Sequence, residues 1–192
     1  MTAKKRQLAH LFDATQCIGC GACVIACSET NYPEMRGQSN PGWNWPASNI
    51  RQIKIEKNRP LQVLVQCQQC SDAPCVRTCP FGANYYDEDG LVRIEPKRCV
   101  GCNYCIASCP YDVRWSHPVS GLPTKCISEG CIQLIKAGKS PACVSACPAG
   151  ARLFGDIMDP QSQISRKIQT SRTQKLLEGK GTKPNFFVVV QK

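Results

Sequence analysis

The chain has 192 residues, with 24 Lys and Arg against 14 Asp and Glu, and 16 Cys. That length holds one or two small domains, and 42% apolar with 7% aromatic residues is too little to fill a large hydrophobic core. No apolar run approaches the roughly 18 residues of a membrane-spanning helix, and cysteine at this density makes sulfur chemistry the organising feature.

Leu8 to Asp13 predicts a short strand that leads into Cys17-Ile-Gly-Cys20-Gly-Ala-Cys23-Val-Ile-Ala-Cys27. Three thiols two residues apart share one tight loop, for which Gly19 and Gly21 supply backbone freedom. A helix should start at Val24. Residues 31–60 change character, with Pro33, Pro41, Pro46 and Pro60 and the pair Trp43 and Trp45. This reads as a long irregular connection, either a surface flap or a partner-facing loop, since exposed Trp and Arg anchor interfaces.

Leu61 to Gln66 is β-rich and opens on Cys67-Gln-Gln-Cys70-Ser-Asp-Ala-Pro-Cys75-Val-Arg-Thr-Cys79-Pro80, whose second gap is wider. Asp89-Gly90 between two β-prone runs signals a hairpin, and Asp87-Glu88-Asp89 reads as its solvated tip. The third group follows directly: Cys99-Val-Gly-Cys102-Asn-Tyr-Cys105-Ile-Ala-Ser-Cys109-Pro110. A connection from Pro110 to Lys125 reaches the fourth, Cys126-Ile-Ser-Glu-Gly-Cys131, then Cys143-Val-Ser-Ala-Cys147-Pro148. Ile132 to Gly138 suggests one or two helical turns ended by glycine, and Ala151 to Ile157 a strand. In the tail, Gln163 to Leu177 suits a polar helix and Thr182 to Val190 an extended arm.

The third group is C-x2-C-x2-C-x3-C-P, the run that holds [4Fe–4S] clusters in bacterial ferredoxins, where the fourth Cys ligates the other cluster. Sixteen thiols in four groups of four match four clusters with none left over. A disulfide framework is the bland alternative to an even Cys count, but the thiols are clumped on local loops. Structural zinc usually pairs two short hooks and often uses His, whereas each compact run here has three Cys. The formal charge of +10 suits a nucleic-acid binder. Four clusters at about −2 each would bring it near +2, so nucleic acid is not the expected partner and the cations balance buried anions.

Motif, hairpin, motif is the layout of a two-cluster ferredoxin, so groups two and three form one unit and groups one and four another. The expected fold is α+β: two ferredoxin-like units, one inserted in the other, with long loops and a C-terminal extension. Unit A takes residues 8–30 plus 120–157, a connecting loop 31–60, unit B 61–119, and residues 158–192 are a tail packing on the domain or a partner. If the crossing rule holds, Cys17, Cys20 and Cys23 take Cys147; Cys126, Cys131 and Cys143 take Cys27; Cys67, Cys70 and Cys75 take Cys109; Cys99, Cys102 and Cys105 take Cys79. Cubes of this kind act as the core, so the apoprotein should be largely unfolded. No catalytic apparatus accompanies the cysteines: His10 and His117 are isolated and read as surface or packing residues, and no Gly-rich nucleotide loop follows a strand.

With the four-group order, Pro-Ala-Cys143-Val-Ser-Ala-Cys147-Pro, Phe-Gly155-Asp and Gly181-Thr-Lys-Pro184, the chain resembles the iron–sulfur (beta) subunit of molybdopterin oxidoreductases of the dimethyl sulfoxide, polysulfide, thiosulfate, tetrathionate and arsenate reductase type. The resemblance implies four [4Fe–4S] clusters relaying single electrons, in a protein that is not catalytic alone. It implies a Mo or W bis-pterin catalytic subunit at the unit of groups one and four. An integral membrane quinol-binding subunit would lie at the other unit, with the Cys99, Cys102 and Cys105 cluster last. Relatives with Trp for the second Cys of group three carry [3Fe–4S] there; Cys102 implies [4Fe–4S]. The Cys126-x4-Cys131 gap departs from the usual two residues and suggests a bulged loop around an ordinary cluster.

The opening Met1-Thr-Ala-Lys-Lys-Arg-Gln-Leu8 has no apolar stretch and no twin arginine. The resemblance therefore implies a peripheral protein at the cytoplasmic membrane, on the periplasmic face by co-export with its catalytic partner, or alternatively a cytoplasmic complex. Two other readings remain at this point: a ferredoxin-like subunit of a soluble hydrogenase, formate dehydrogenase or aldehyde-oxidising enzyme without a quinone partner, and a zinc-based interaction module.

Overall fold

A computed structural model describes residues 6–36, 47–55 and 61–191. Its elements, in chain order, are β1 (Leu8–Asp13), α1 (Ala22–Asn31), β2 (Arg51–Ile55), β3 (Leu61–Val65), α2 (Pro74–Arg77), β4 (Asn84–Tyr86), β5 (Val92–Ile94), α3 (Tyr104–Ala107), β6 (Trp115–Ser116), β7 (Pro123–Thr124), α4 (Glu129–Lys136), α5 (Ala142–Ser145), β8 (Arg152–Asp156), α6 (Gln163–Thr170), β9 (Arg172–Gln174) and β10 (Phe186–Gln191). No described helix is long and apolar enough to cross a membrane.

The largest sheet has the order β8-β1-β10-β9. β1 runs antiparallel to β8, with His10 opposite Phe154, and parallel to β10, with Leu11 opposite Phe187. Side chains alternate across a strand, and here both faces are covered. Ala9, Leu11, Phe187 and Val189 pack with Ile164 of α6 on one face. Phe12, Phe186 and Val188 pack on the other with Val24, Cys27 and Cys143. The sheet is thus a wall between α6 and the cysteine loops. Each fully buried Phe or Leu in it is worth about 1.5–3 kcal/mol. Ser162 caps α6, its Oγ accepting from the N–H of Ser165 at 3.2 Å, which satisfies one of the helix's unpaired donors.

Four expectations need revision. The helix expected over Gln163–Leu177 stops at Thr170, because Ser171 turns extended and Arg172–Gln174 pairs with β10. The arm expected over Thr182–Val190 is extended, but from Phe186 it is a strand of the sheet, paired between β1 and β9. The long connection over 31–60 is not wholly irregular: Arg51–Ile55 forms an antiparallel hairpin with Leu61–Val65. Trp43, Trp45, Pro41, Pro46 and Pro60 of that stretch lie outside the described residues. The helix after Cys131 starts earlier than expected, at Glu129, so Cys131 lies within it.

The β4–β5 hairpin forms where Asp89-Gly90 predicts it, with Gly90 at φ 73°. Its acidic tip is tied down rather than free. Asp87 Oδ1 accepts from the N–H groups of Asp89 and Leu91, Asp89 pairs with Arg6 at 2.8 Å, and the Asp89 carbonyl accepts from the N–H of Leu8 at 2.9 Å. This fastens the hairpin to β1.

Candidate metal centres

Three of the four groups end in the same turn. After Cys79-Pro80, Cys109-Pro110 and Cys147-Pro148, the third residue beyond the Cys donates its N–H to the cysteine carbonyl, at 3.2–3.3 Å. That residue has positive φ: Gly82 and Gly150 at 59°, Asp112 at 49°. Glycine is the unstrained choice there, and Asp is among the few other residues that tolerate it. The turn folds the next N–H back onto sulfur: Ala83 N–H donates to Cys79 Sγ at 3.2 Å and Ala151 N–H to Cys147 Sγ at 3.3 Å. The residue after that, Asn84, Arg114 or Arg152, is buried.

Short helices set the thiols in opposed pairs. α1 carries Cys23 and Cys27 and packs on α5, which carries Cys143 just before Cys147; α2 and α3 do the same with Cys75, Cys79, Cys105 and Cys109. Cys17, Cys20, Cys23 and Cys147 line one cavity with Phe12 and Arg152. Cys67, Cys70, Cys75 and Cys109 line a second with Tyr111 and Arg114. Cys79, Cys99, Cys102 and Cys105 line a third with Phe81 and Asn84. The remaining four meet across α1, α4 and α5: Cys27 borders Cys143 and Cys131, and Cys126 borders all three. All four of this last set are buried, whereas Cys20 and Cys102, in the outer two sets, are exposed.

Three of the quartets thus line a space rather than close on a point.

The deepest quartet has the densest set of side-chain donors. Asn31 Nδ2 lies 3.4 Å from Cys131 Sγ and 3.7 Å from Cys27 Sγ, and its Oδ1 accepts from the Cys131 N–H at 3.0 Å. Gln66 Nε2 lies 3.6 Å and His10 Nε2 3.8 Å from Cys126 Sγ. His10 is thus a packing residue as read, its ring 4.7 Å from that of Phe154, and also a sulfur neighbour that the sequence did not indicate. His117 Nε2 lies 3.0 Å from Glu34 Oε1.

Burial first, then the neighbouring Cys143, pushes the Cys27 thiol up to about 12; burial also pushes Cys70 to about 12 and Cys126 well above the usual thiol. A bound metal must displace these protons, since the thiolate is the ligand. Cys79 goes the other way: burial raises it, but N–H groups of Asn84, Phe81 and Ala83 outweigh that.

Three cations lie among the sulfurs. Arg152, Lys125 and Arg114 are each only 2% exposed. Arg152 adjoins Cys143, Cys23, Cys126 and Cys27, and Arg114 adjoins Cys75, Cys105 and Cys67. For Lys125, burial lowers the ammonium while Cys67 and Cys126 oppose it. Buried charges persist only when compensated, and thiolate-bound anionic groups supply that compensation. This chemistry fits iron–sulfur clusters. The cations escape a motif search built on Cys, yet Cys-Pro-x3-Arg occurs twice, at Cys109 to Arg114 and Cys147 to Arg152, and that repeat was the available signal.

Thiol cages on short helices, closed by Cys-Pro turns and neutralised by buried cations, define an iron–sulfur protein of ferredoxin type. A 4Fe–4S dicluster domain profile matches residues 61–157, and a 4Fe–4S binding domain profile residues 10–28. The sequence is 40% identical to a polysulfide reductase chain of Wolinella succinogenes over 99% of its own length and 96% of that protein. It is 41% identical to the thiosulfate reductase electron transfer subunit PhsB of Salmonella typhi, covering 84% of this chain and 81% of that one. A tetrathionate reductase subunit of Salmonella typhimurium is 37% identical, covering 95% and 72%. The protein belongs to this family of iron–sulfur electron-transfer subunits of reductase complexes, proteins that are not catalytic alone.

Proposed function

We propose that the chain holds four [4Fe–4S] clusters and relays single electrons between a molybdopterin catalytic subunit and a quinol-handling membrane subunit. The ligand sets are Cys17, Cys20, Cys23 and Cys147; Cys27, Cys126, Cys131 and Cys143; Cys67, Cys70, Cys75 and Cys109; and Cys79, Cys99, Cys102 and Cys105. Such a cube supplies one-electron chemistry whose potential follows burial, charge and hydrogen bonds to sulfur. The chain's own residues hold the cubes in a row, exclude water from the inner two and donate N–H groups to their sulfurs. The row comprises two ferredoxin-like units, residues 61–119 inserted between 8–30 and 120–157.

The observation that carries this reading is the placement of exposed sulfur. Within the quartets only Cys20 and Cys102 are exposed, and they belong to the two outer sets. Each has exposed apolar neighbours: Ile18 and Ile25 near Cys20, and Phe81, Val100 and Tyr104 near Cys102. Exposed apolar patches of this kind mark interaction sites, and two ends suit two partners. The relatives serve reductases of sulfur compounds by name. The partner here is read as a reductase whose own active site selects the substrate, in a complex at the membrane face.

The test is anaerobic purification of the native complex. About sixteen iron and sixteen sulfide per chain are expected, together with a pterin-containing subunit and an integral membrane subunit. Cys20→Ser and Cys147→Ser should each abolish the same paramagnetic signal. Two different signals lost in those two variants would reject the ligand sets, and a complex lacking any membrane subunit would reject the quinol partner.

A further inference from the structure

Arg152, Lys125 and Arg114 are not scattered through the interior. Each occupies a different gap in the row of quartets. Arg152 lines the cavity of Cys17, Cys20, Cys23 and Cys147. Its Nη2 donates to Gln66 Oε1, and Gln66 Nε2 in turn faces Cys126 Sγ at 3.6 Å, in the next quartet. Lys125 Nζ donates to the carbonyl of Cys126 at 2.8 Å and to that of Val92, and Val92 lines the cavity of Cys67, Cys70, Cys75 and Cys109. Arg114 lines that same cavity, and its Nη2 donates at 2.6 Å to Asn84 Oδ1, which lines the cavity of Cys79, Cys99, Cys102 and Cys105.

Among the described residues none of the three forms an ion pair with a carboxylate. Arg152 Nε and Nη1 are buried with no hydrogen-bonding partner at all. If bulk neutrality were the only need, one basic patch anywhere near the quartets would serve. One cation per gap is a different arrangement. The turn described above delivers two of the three, the fifth residues after Cys109 and Cys147, into their gaps.

We propose that Arg152, Lys125 and Arg114 are charge spacers that raise the reduction potentials of the clusters on either side of them. This rests on the cluster assignment above. A positive charge favours the more negative member of a redox couple, and in a low-dielectric interior it does so strongly. Placed between two cubes, it favours an added electron on both, and the inner two clusters, each flanked by two cations, gain the most. In each transfer one cluster gives up a single electron and the next gains it, and no proton need move at the guanidinium groups, whose charge is permanent. The three are positioning residues, since they act through the clusters.

The experiment is a mediated redox titration of the anaerobically purified complex, read by paramagnetic resonance, with iron counted on every sample. Signals are assigned to quartets with Cys20→Ser and Cys102→Ser. Arg152→Gln should make the two clusters beside it harder to reduce by about tenfold each, about 59 mV for one electron, and leave the Cys102 cluster unmoved. Arg114→Gln should shift the opposite end and spare the Cys20 cluster. Arg152→Lys, which keeps the charge, should stay close to wild type. Unmoved potentials in both Gln variants at full iron content would overturn the proposal, as would a uniform shift of all clusters. If one Gln variant loses iron, the other decides; if both do, the cations are needed for assembly and the tuning role is rejected. A wild-type sample lacking the expected iron would instead overturn the cluster assignment itself.

Discussion

Gly130 is the place where one added methyl group should separate two helices. It lies in α4, where α4 crosses α1, and a Cβ built there meets the Thr30 carbonyl oxygen closer than real Cβ atoms approach. Thr30 C would be 3.0 Å away and Thr30 Cγ2 3.1 Å. The obstacle is backbone, so it cannot rotate aside, and Gly130→Ala must push α4 from α1. Overpacking of this kind costs about 1–3 kcal/mol. The same movement stretches the two contacts between Asn31 and Cys131, at 3.4 and 3.0 Å, adding about 1–2 kcal/mol. Alanine's better helix propensity returns about 1 kcal/mol. The net expectation is destabilisation by about 1–4 kcal/mol. With a slope near 2 kcal/mol per molar, the urea midpoint for loss of cluster absorbance should fall by about 0.5–2 M. The outcome that would refute this is a Gly130→Ala midpoint equal to wild type or above it, which is what propensity alone gives.

Asn31→Ala removes the donor shared by Cys27 and Cys131, so the cluster of that quartet should become harder to reduce while its iron is retained; an unchanged midpoint in redox titration counts against the N–H···S contacts. Lys167→Met leaves the buried Asp13 carboxyl without its 2.8 Å ion pair. Burial raises that carboxyl, but Lys167 and Thr15 outweigh it and hold it below the usual range. Its stabilisation is therefore present above the unfolded value near 3.9 and lost as pH falls through the lower folded value. Lys167→Met should cost about 1–2 kcal/mol near neutrality and begin acid unfolding at higher pH, followed by circular dichroism; coincident acid curves would refute it. Stripping iron with a chelator under anaerobic conditions should collapse near-ultraviolet dichroism and most secondary structure, and an apoprotein that keeps both would show that the cysteines are not the core.

The ligand chemistry was legible in the order of residues because it is local. C-x2-C-x2-C-x3-C-P loads a loop with thiols whatever surrounds it, and Pro110 and Pro148 end the short helices by stereochemistry alone. β1 and the β4–β5 hairpin are legible for the same reason: their alternation and the Asp89-Gly90 turn act within a few residues. Long-range pairing was not. Nothing in Gln163 to Leu177 forbids a longer helix; it ends at Thr170 because Arg172–Gln174 finds an edge on β10. The tail looks like an appendage until Phe186 and Val188 are seen to cover Cys27 and Cys143.

The order of residues alone determined how many thiols there are, how they are grouped, and hence the kind of inorganic group they suit. Only tertiary structure decided what stands between the groups. Arg152 and Arg114 are ordinary charged residues in the sequence, and it takes the packing of α1 on α5 and of α2 on α3 to bury them beside sulfur. The reason is physical: a thiolate's affinity for iron belongs to the residue, whereas the effect of a charge depends on what surrounds it and how far away it lies.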